Sequence, residues 1–278
     1  MLKNRKVLVC QETPCLSMGS DIIYAELKKE ISRQSLKNAA VEASGWHGHG
    51  LCSQGLSIVV EPEGIFYSNV QVEDLPEIVS SHLRDGIPVE RLLYRDPVTG
   101  KTIPHYAEVN FYKKQKRVIL QNCGRINPEK IEDYLEAGGY RALQKALLEM
   151  TPEEVIEEIE KSGLRGRGGA GFPTARKWQF CRSASGKKKY IICNADEGDP
   201  GAFMDRSILE ADPHRLLEGL IIAGYAIGAD EGFIYVRAEY PLAVKRVGLA
   251  LSKAYEKGFL GKNILGSDFN FIIRIKEG

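Results

Sequence analysis

With 278 residues the chain is long enough to fold as two domains around substantial cores. Its 38 Lys and Arg against 37 Asp and Glu leave a formal net charge of +1, and the charges are well mixed, which argues against a nucleic-acid or membrane surface as the main partner. No apolar run approaches the roughly 18 residues of a membrane span. The N-terminus, Met1-Leu-Lys-Asn-Arg-Lys6, leads straight into a strand pattern without the apolar region of a signal peptide. A cytoplasmic chain is therefore expected. Six irregularly spaced cysteines then suit metal ligands or buried thiols better than disulfides.

Residues 1 to 92 read as a small α/β unit. Lys6–Cys10 is a strand, and Ser20–Ser32 an amphipathic helix with Ile22, Ile23, Leu27 and Ile31 on one face. Short strands follow at Ala39–Ala43, Ser57–Val60 and Gly64–Val70, and a helix at Asp74–Leu83. Strand, helix, strand, hairpin, helix is the order of a thioredoxin-like domain. Residues 93 to 150 form a lead-in. Asp96-Pro-Val-Thr-Gly100 is a turn cluster. Gly100-Lys101-Thr102 is not a P-loop, because Arg95 stands where the first glycine belongs. The basic run Lys113–Arg117 reads as a solvated turn before a strand at Val118–Gln121. Helices are predicted at Pro128–Glu136 and Tyr140–Glu149.

From residue 151 the pattern changes. Thr151–Lys161 is a helix with Thr151 and Glu154 as a capping box and Pro152 in its first turn. Gly163-Leu-Arg-Gly-Arg-Gly-Gly-Ala-Gly-Phe-Pro-Thr-Ala-Arg-Lys-Trp-Gln-Phe180 follows, dense in glycine and arginine. Glycine buries no side chain and costs entropy to order, so such a run suits close backbone approach to a ligand, and the basic side chains suit an anion. Gly166, Gly168 and Gly171 satisfy G-x-G-x-x-G, but that fingerprint should follow a strand and this one follows a helix. Tyr190–Cys193 reads as a buried strand, and Asn194-Ala-Asp-Glu-Gly-Asp-Pro-Gly-Ala-Phe-Met-Asp-Arg206 places polar groups at its end, where open α/β sheets bind ligands. Asp212-Pro213 caps a helix to Ile227, Phe233–Arg237 is a strand, Pro241–Lys257 a helix and Phe269–Ile275 a strand. His214, in a helix's first turn, reads as structural.

The two stretches Gly163–Phe180 and Asn194–Arg206 resemble the signature of the NADH-binding flavoprotein subunit of respiratory complex I. They resemble more closely the diaphorase subunits of multimeric, including electron-bifurcating, hydrogenases and of NAD-dependent formate dehydrogenases. The matches are long and nearly gapless, and the resemblance extends along the whole chain. It implies an α/β fold in which a thioredoxin-like domain (1–92) and a helical lead-in (93–150) precede a Rossmann-like FMN/NADH-binding α/β domain (151–278). By the same resemblance the FMN phosphate end lies toward Gly166, Arg167, Gly168 and Gly169, near Lys177. Asn194, Asp196 and Glu197 face the ribityl chain and ring. Phe172 and Phe180 stack on the nicotinamide nucleotide, and Asp199, where the family has Glu or Asp, accepts its hydrogen bonds. A Cβ at Gly168 is expected to push the ligand back or force a disfavoured φ. The implied activity is hydride transfer between NAD(P)H and FMN, with single electrons passed on to iron–sulfur centres. That chemistry needs no protein acid or base, so no catalytic residue is assigned. The implied partners are a thioredoxin-like iron–sulfur small subunit and a hydrogenase, formate dehydrogenase or complex I catalytic subunit.

The resemblance also implies a 2Fe–2S cluster in the first domain. Cys10 and Cys15 have its C-x4-C spacing and Cys52 lies on a later loop, but Gly48 stands where the family has a fourth cysteine, and Gly55-Leu56 replaces its Gly-Pro. Two alternatives stay open: the cluster is lost and three idle thiols remain, or His47 or His49 fills the gap, as imidazole does in Rieske centres. In the family the last strand leads into a Gly-Glu-Glu-Thr-rich ligand segment, a ubiquitin-like insert and a helical domain with a 4Fe–4S cluster. The sequence contains none of these, so it is expected to be a fragment, or else a naturally short relative, with little activity of its own. Two other function classes remain: a thioredoxin-like docking module without redox activity, and a nucleotide-binding regulator without flavin.

Overall fold

The computed structural model describes residues 4–45, 51 and 54–278. The chain divides into two compact units, Met1–Pro128 and Glu129–Gly278, each of mixed α/β structure.

In the first unit β1 (Arg5–Cys10) leads through a short α1 (Thr13–Ser17) into α2 (Ser20–Arg33), then β2 (Ala39–Ser44), β3 (Ile58–Glu61) and β4 (Ile65–Tyr67). The sheet order is β2-β1-β3-β4, with β1 parallel to β2 and the other pairs antiparallel. β1 is central, so Val7, Leu8, Val9 and Cys10 are all buried, an unbroken apolar run fitting a strand covered on both faces. α2 contributes Ile23, Leu27 and Ile31 to this core, whereas Ile22, placed by spacing on the same face, is 54% exposed. The helix expected at Asp74–Leu83 is instead one α-helical turn, α3 (Leu75–Glu77), widening into a π-helical segment, Ile78–Arg84. There His82 is buried and shares a hydrogen bond of 2.8 Å with the Tyr67 hydroxyl, which also accepts from Val89 N–H. A short α4 (Asn110–Lys113) follows. The strand expected at Val118–Gln121 does not form: the segment is a series of turns with Val118 and Ile119 exposed. Two apolar residues behind a basic run pair with no sheet edge.

The second unit begins with α5 (Ile131–Glu136), α6 (Arg141–Glu149) and α7 (Pro152–Lys161). α7 carries the expected capping box: Thr151 Oγ1 accepts from Glu154 N–H and the Glu154 carboxylate accepts from Thr151 N–H. Next come α8 (Thr174–Ser183), β5 (Tyr190–Ala195), α9 (Met204–Ala211), α10 (Pro213–Ile227), β6 (Glu231–Val236), α11 (Pro241–Glu256) and β7 (Ile272–Glu277). The three strands form a parallel sheet in the order β5-β6-β7, so their C-terminal ends share one edge. α10 is buried nearly all round; a Cβ on its Gly224 would sit 2.6 Å from the Phe271 ring, so glycine is what lets that ring pack. Asp212 stands at the N-cap of α10 as expected, but its carboxylate makes no cap bond and instead accepts from Arg215 Nε at 2.9 Å. β5 is not the buried strand that its apolar run predicts: it is an edge strand, and Tyr190 and Ile192 point away from the helices, Ile192 being 70% exposed. His214 is buried and shares a hydrogen bond with the Tyr140 hydroxyl, a structural role. Among the described residues no helix is long and apolar enough to cross a membrane.

Candidate cofactor site

The glycine stretch forms a loop closed at its base. Gly166 N–H donates to Phe172 O at 2.9 Å, Thr174 N–H to Leu164 O at 3.0 Å, and Arg165 Nη1 to Gly171 O at 3.0 Å. The apex, Arg167 to Ala170, is exposed, and among the described residues its backbone N–H groups have no partner. Gly169 has φ +102° and Gly171 φ +61°, conformations that L side chains rarely adopt. Gly168 lies outside that region, and a Cβ there would meet nothing within 4 Å. The expectation of a disfavoured φ at Gly168 is therefore corrected: the backbone constraint falls on Gly169 and Gly171.

The loop runs into the N-terminus of α8. That helix has no side-chain cap and no acidic residue in its first turn, where Arg176 and Lys177 stand instead. Cations oppose the helix dipole there, an arrangement that an anion beside the N-terminus would offset. Arg167 and Lys177 make no ion pair among the described residues. Phe172 and Phe180 are exposed with ring centroids 6.4 Å apart, and Arg176 lies 5.9 Å from the Phe180 ring centre. Trp178 faces the other way, against the core of Ala146, Val155, Ile156, Ala175 and Ala226.

The second cluster sits where β5 ends. Asn194 Oδ1 accepts from Asp196 N–H at 3.1 Å, and both side chains are exposed. Asp199-Pro200-Gly201-Ala202 is a turn closed by Ala202 N–H to Asp199 O at 3.2 Å; Pro at its second position and Gly201 at φ +81° are the residues a type II turn requires. Asp199 is exposed on it. Glu197 is buried, and its carboxylate accepts from the N–H groups of Met204, Asp205 and Arg206 at the start of α9, at 2.5, 3.1 and 3.2 Å. Burial, with the Glu197 charge beside it, raises the Asp205 carboxyl. Burial, then Asp205, pushes the Cys193 thiol up to about 11. No hydrogen bond or ion pair joins residues 163–173 to residues 194–206 among the described residues.

Sequence reasoning missed Arg237 and Tyr240. Arg237 follows β6 directly; its Nη1 donates to Glu197 O at 2.8 Å, its Nη2 to Glu239 at 3.1 Å, and its Nε lies 3.9 Å from Asp196 Oδ1. The available signal was its position, a charged residue at the C-terminal end of a parallel strand. Of the expected metal ligands, Cys10 ends β1 and Cys15 lies in α1, both buried. Cys52, with His47, Gly48 and His49, lies outside the described residues, and among the described residues no group of three or more His, Cys, Asp or Glu could hold a metal ion.

A parallel sheet with polar groups at its strand ends, together with a basic glycine loop ahead of a helix, is an arrangement in which α/β domains bind ligands. Residues 159–278 match the family model of the Nuo51 FMN-binding domain. The chain is 55% identical over 166 residues to the NADP-reducing hydrogenase protein HndC of Solidesulfovibrio fructosivorans, an alignment covering 60% of this chain and 34% of that protein. It is 52% identical over 161 residues to an NADH-quinone oxidoreductase protein of Rhizobium meliloti, its F-type component, covering 58% of this chain and 38% of that protein. The matches thus span just over a third of these relatives' length. A crystal structure of an NAD+-reducing NiFe hydrogenase in the air-oxidized state is similar at 22% identity and a TM-score of 0.45, over 100% of this chain and 43% of that one.

Proposed function

We propose that this chain is the NAD(P)H-oxidising or NAD(P)+-reducing flavoprotein part of a larger electron-transfer assembly. The observation that carries the reading is the loop before α8, with N–H groups from Arg167 to Ala170 that have no partner among the described residues, open space at Gly168 and Gly169, and the cations Arg167 and Lys177, unpaired among the described residues, beside a helix start without a side-chain cap. That donor set fits the phosphate end of FMN. Gly166, Arg167, Gly168 and Gly169 would hold it and Lys177 would neutralise it. Asn194 and Asp196 would meet the ribityl hydroxyls and ring. Phe172 and Phe180 offer aromatic faces to the nicotinamide nucleotide, and Asp199 accepts its hydrogen bonds. When bound, FMN supplies hydride exchange with nicotinamide and one-electron exchange with iron–sulfur centres. The chain's own residues orient the two ligands and exclude misaligned encounters, and none acts as acid or base.

The sheet order of Met1–Pro128, with one parallel and two antiparallel pairings, supports a thioredoxin-like fold for that unit. Cys10 and Cys15, with Cys52, would supply thiolates to a 2Fe–2S cluster. The names of the relatives support a hydrogenase or complex I assembly as the setting, with an iron–sulfur protein as electron partner. Anaerobic addition of NADH to the FMN-loaded chain tests the reading: bleaching of the flavin band supports it. A chain that binds NADH or ATP but leaves FMN fluorescence unquenched is a regulator instead.

A further inference from the structure

We infer that Glu197 and Arg237 form a clasp that positions the Asp199 turn for the nicotinamide nucleotide, and that neither is a ligand of the flavin. The inference rests on the nucleotide reading above. A carboxylate that accepts three N–H groups in the first turn of a helix is matched to the helix dipole and has little capacity left for a ligand. The Glu197 carboxylate does this at Met204, Asp205 and Arg206, with the Tyr240 hydroxyl a further 3.5 Å from Oε2. Its main chain is held as well, by Arg237 Nη1 on the carbonyl oxygen at 2.8 Å. The segment Gly198–Phe203 is therefore tied where it leaves β5 and where it enters α9. Phe203 takes φ +49° at that entry, with the Arg206 guanidinium 4.9 Å from its ring centre. Asp199 is exposed on this tied segment, and Asp196 Oδ1 lies 3.9 Å from Arg237 Nε. Among the described residues the glycine loop shares no hydrogen bond or ion pair with the clasp, so loosening the clasp acts on the nucleotide and spares the FMN phosphate.

Glu197→Gln and Arg237→Lys in the full chain test this with three readouts. Amide hydrogen exchange at Met204, Asp205 and Arg206, read without ligand, is expected to rise about tenfold or more in Glu197→Gln. NADH affinity in the presence of FMN is expected to fall about tenfold in both variants, while FMN affinity in Glu197→Gln stays within about twofold. Glu197→Asp, which keeps the charge, should recover part of the NADH affinity. Unchanged exchange in Glu197→Gln overturns the clasp. Lost FMN affinity with NADH affinity intact makes Glu197 a flavin ligand and overturns the inference. If the unmodified chain binds no NADH although these amides are protected, the nucleotide reading fails and the positioning role with it, and the clasp is architecture alone.

Discussion

The Glu218 carboxylate accepts the backbone N–H of Tyr140 at 2.9 Å, at a residue held in the left-handed region with φ +60°. The same carboxylate accepts Leu143 N–H at 3.0 Å and the Tyr134 hydroxyl at 2.5 Å, all in the buried interior of the second unit. It therefore joins α5, the entry to α6 and α10. Glu218→Ala leaves three buried donors without an acceptor and should destabilise the second unit by at least about 3 kcal/mol. Glu218→Gln should cost less. Urea unfolding measures both, and an unchanged midpoint for the alanine variant would contradict the network.

Gly169 and Gly168 should separate strain from ligand approach. Gly169→Ala places a Cβ on a backbone at φ +102° and should lower stability by about 1 kcal/mol or more, seen as a lower melting temperature. Gly168→Ala meets open space and should change stability by less than about 0.5 kcal/mol. Equal destabilisation by the two would place the loop differently.

Stability should fall with acid in both units. Burial, with Arg5 nearby, pushes the His82 imidazole down to about 4, and burial pushes His214 to about 4. Both are neutral when folded at neutral pH, while the unfolded chain protonates them near the ordinary 6.5. Their contribution is therefore present above about 6.5 and is lost as pH falls toward about 4, with no further loss below. The full shift is worth roughly 3 kcal/mol per histidine. His214→Gln should flatten the pH dependence of unfolding in the second unit and leave the first unchanged.

Much of the fold was legible because its signals are local. The Thr151–Glu154 capping box spans four residues, and the glycine loop and the Pro200-Gly201 turn carry their backbone requirements in residue type. What escaped depends on distant neighbours. Periodicity along Tyr190–Cys193 does not say whether both faces of the strand are covered, and Ile192 is exposed on the same sheet face as Tyr235 of the central strand β6. Val118 and Ile119 have strand-forming side chains, but among the described residues they pair with no strand. The Glu197 carboxylate reads as a ligand group in its motif, and only the fold brings the start of α9 and Arg237 to it.

Iron content tests the first unit. Gly48 offers no ligand, so anaerobically purified protein should hold less than one 2Fe–2S cluster per chain, and Gly48→Cys should raise the iron content and the reduced EPR signal. Full iron occupancy lost in His49→Ala would show that histidine fills the gap.

FMN titration of four proteins over a salt series tests the central claim most directly. If the glycine loop holds the phosphate end, Gly168→Ala should lose about tenfold or more in FMN affinity, the equivalent of about 1.4 kcal/mol, because its Cβ takes space that the ligand needs. Lys177→Ala should weaken FMN at low salt and converge on the unmodified chain as salt rises, because its contribution is charge. Phe180→Ala should keep FMN and weaken only NADH. Full FMN affinity in Gly168→Ala, together with loss of the flavin in Phe180→Ala, would contradict the assignment of the loop to flavin and of the phenylalanine to the nicotinamide nucleotide.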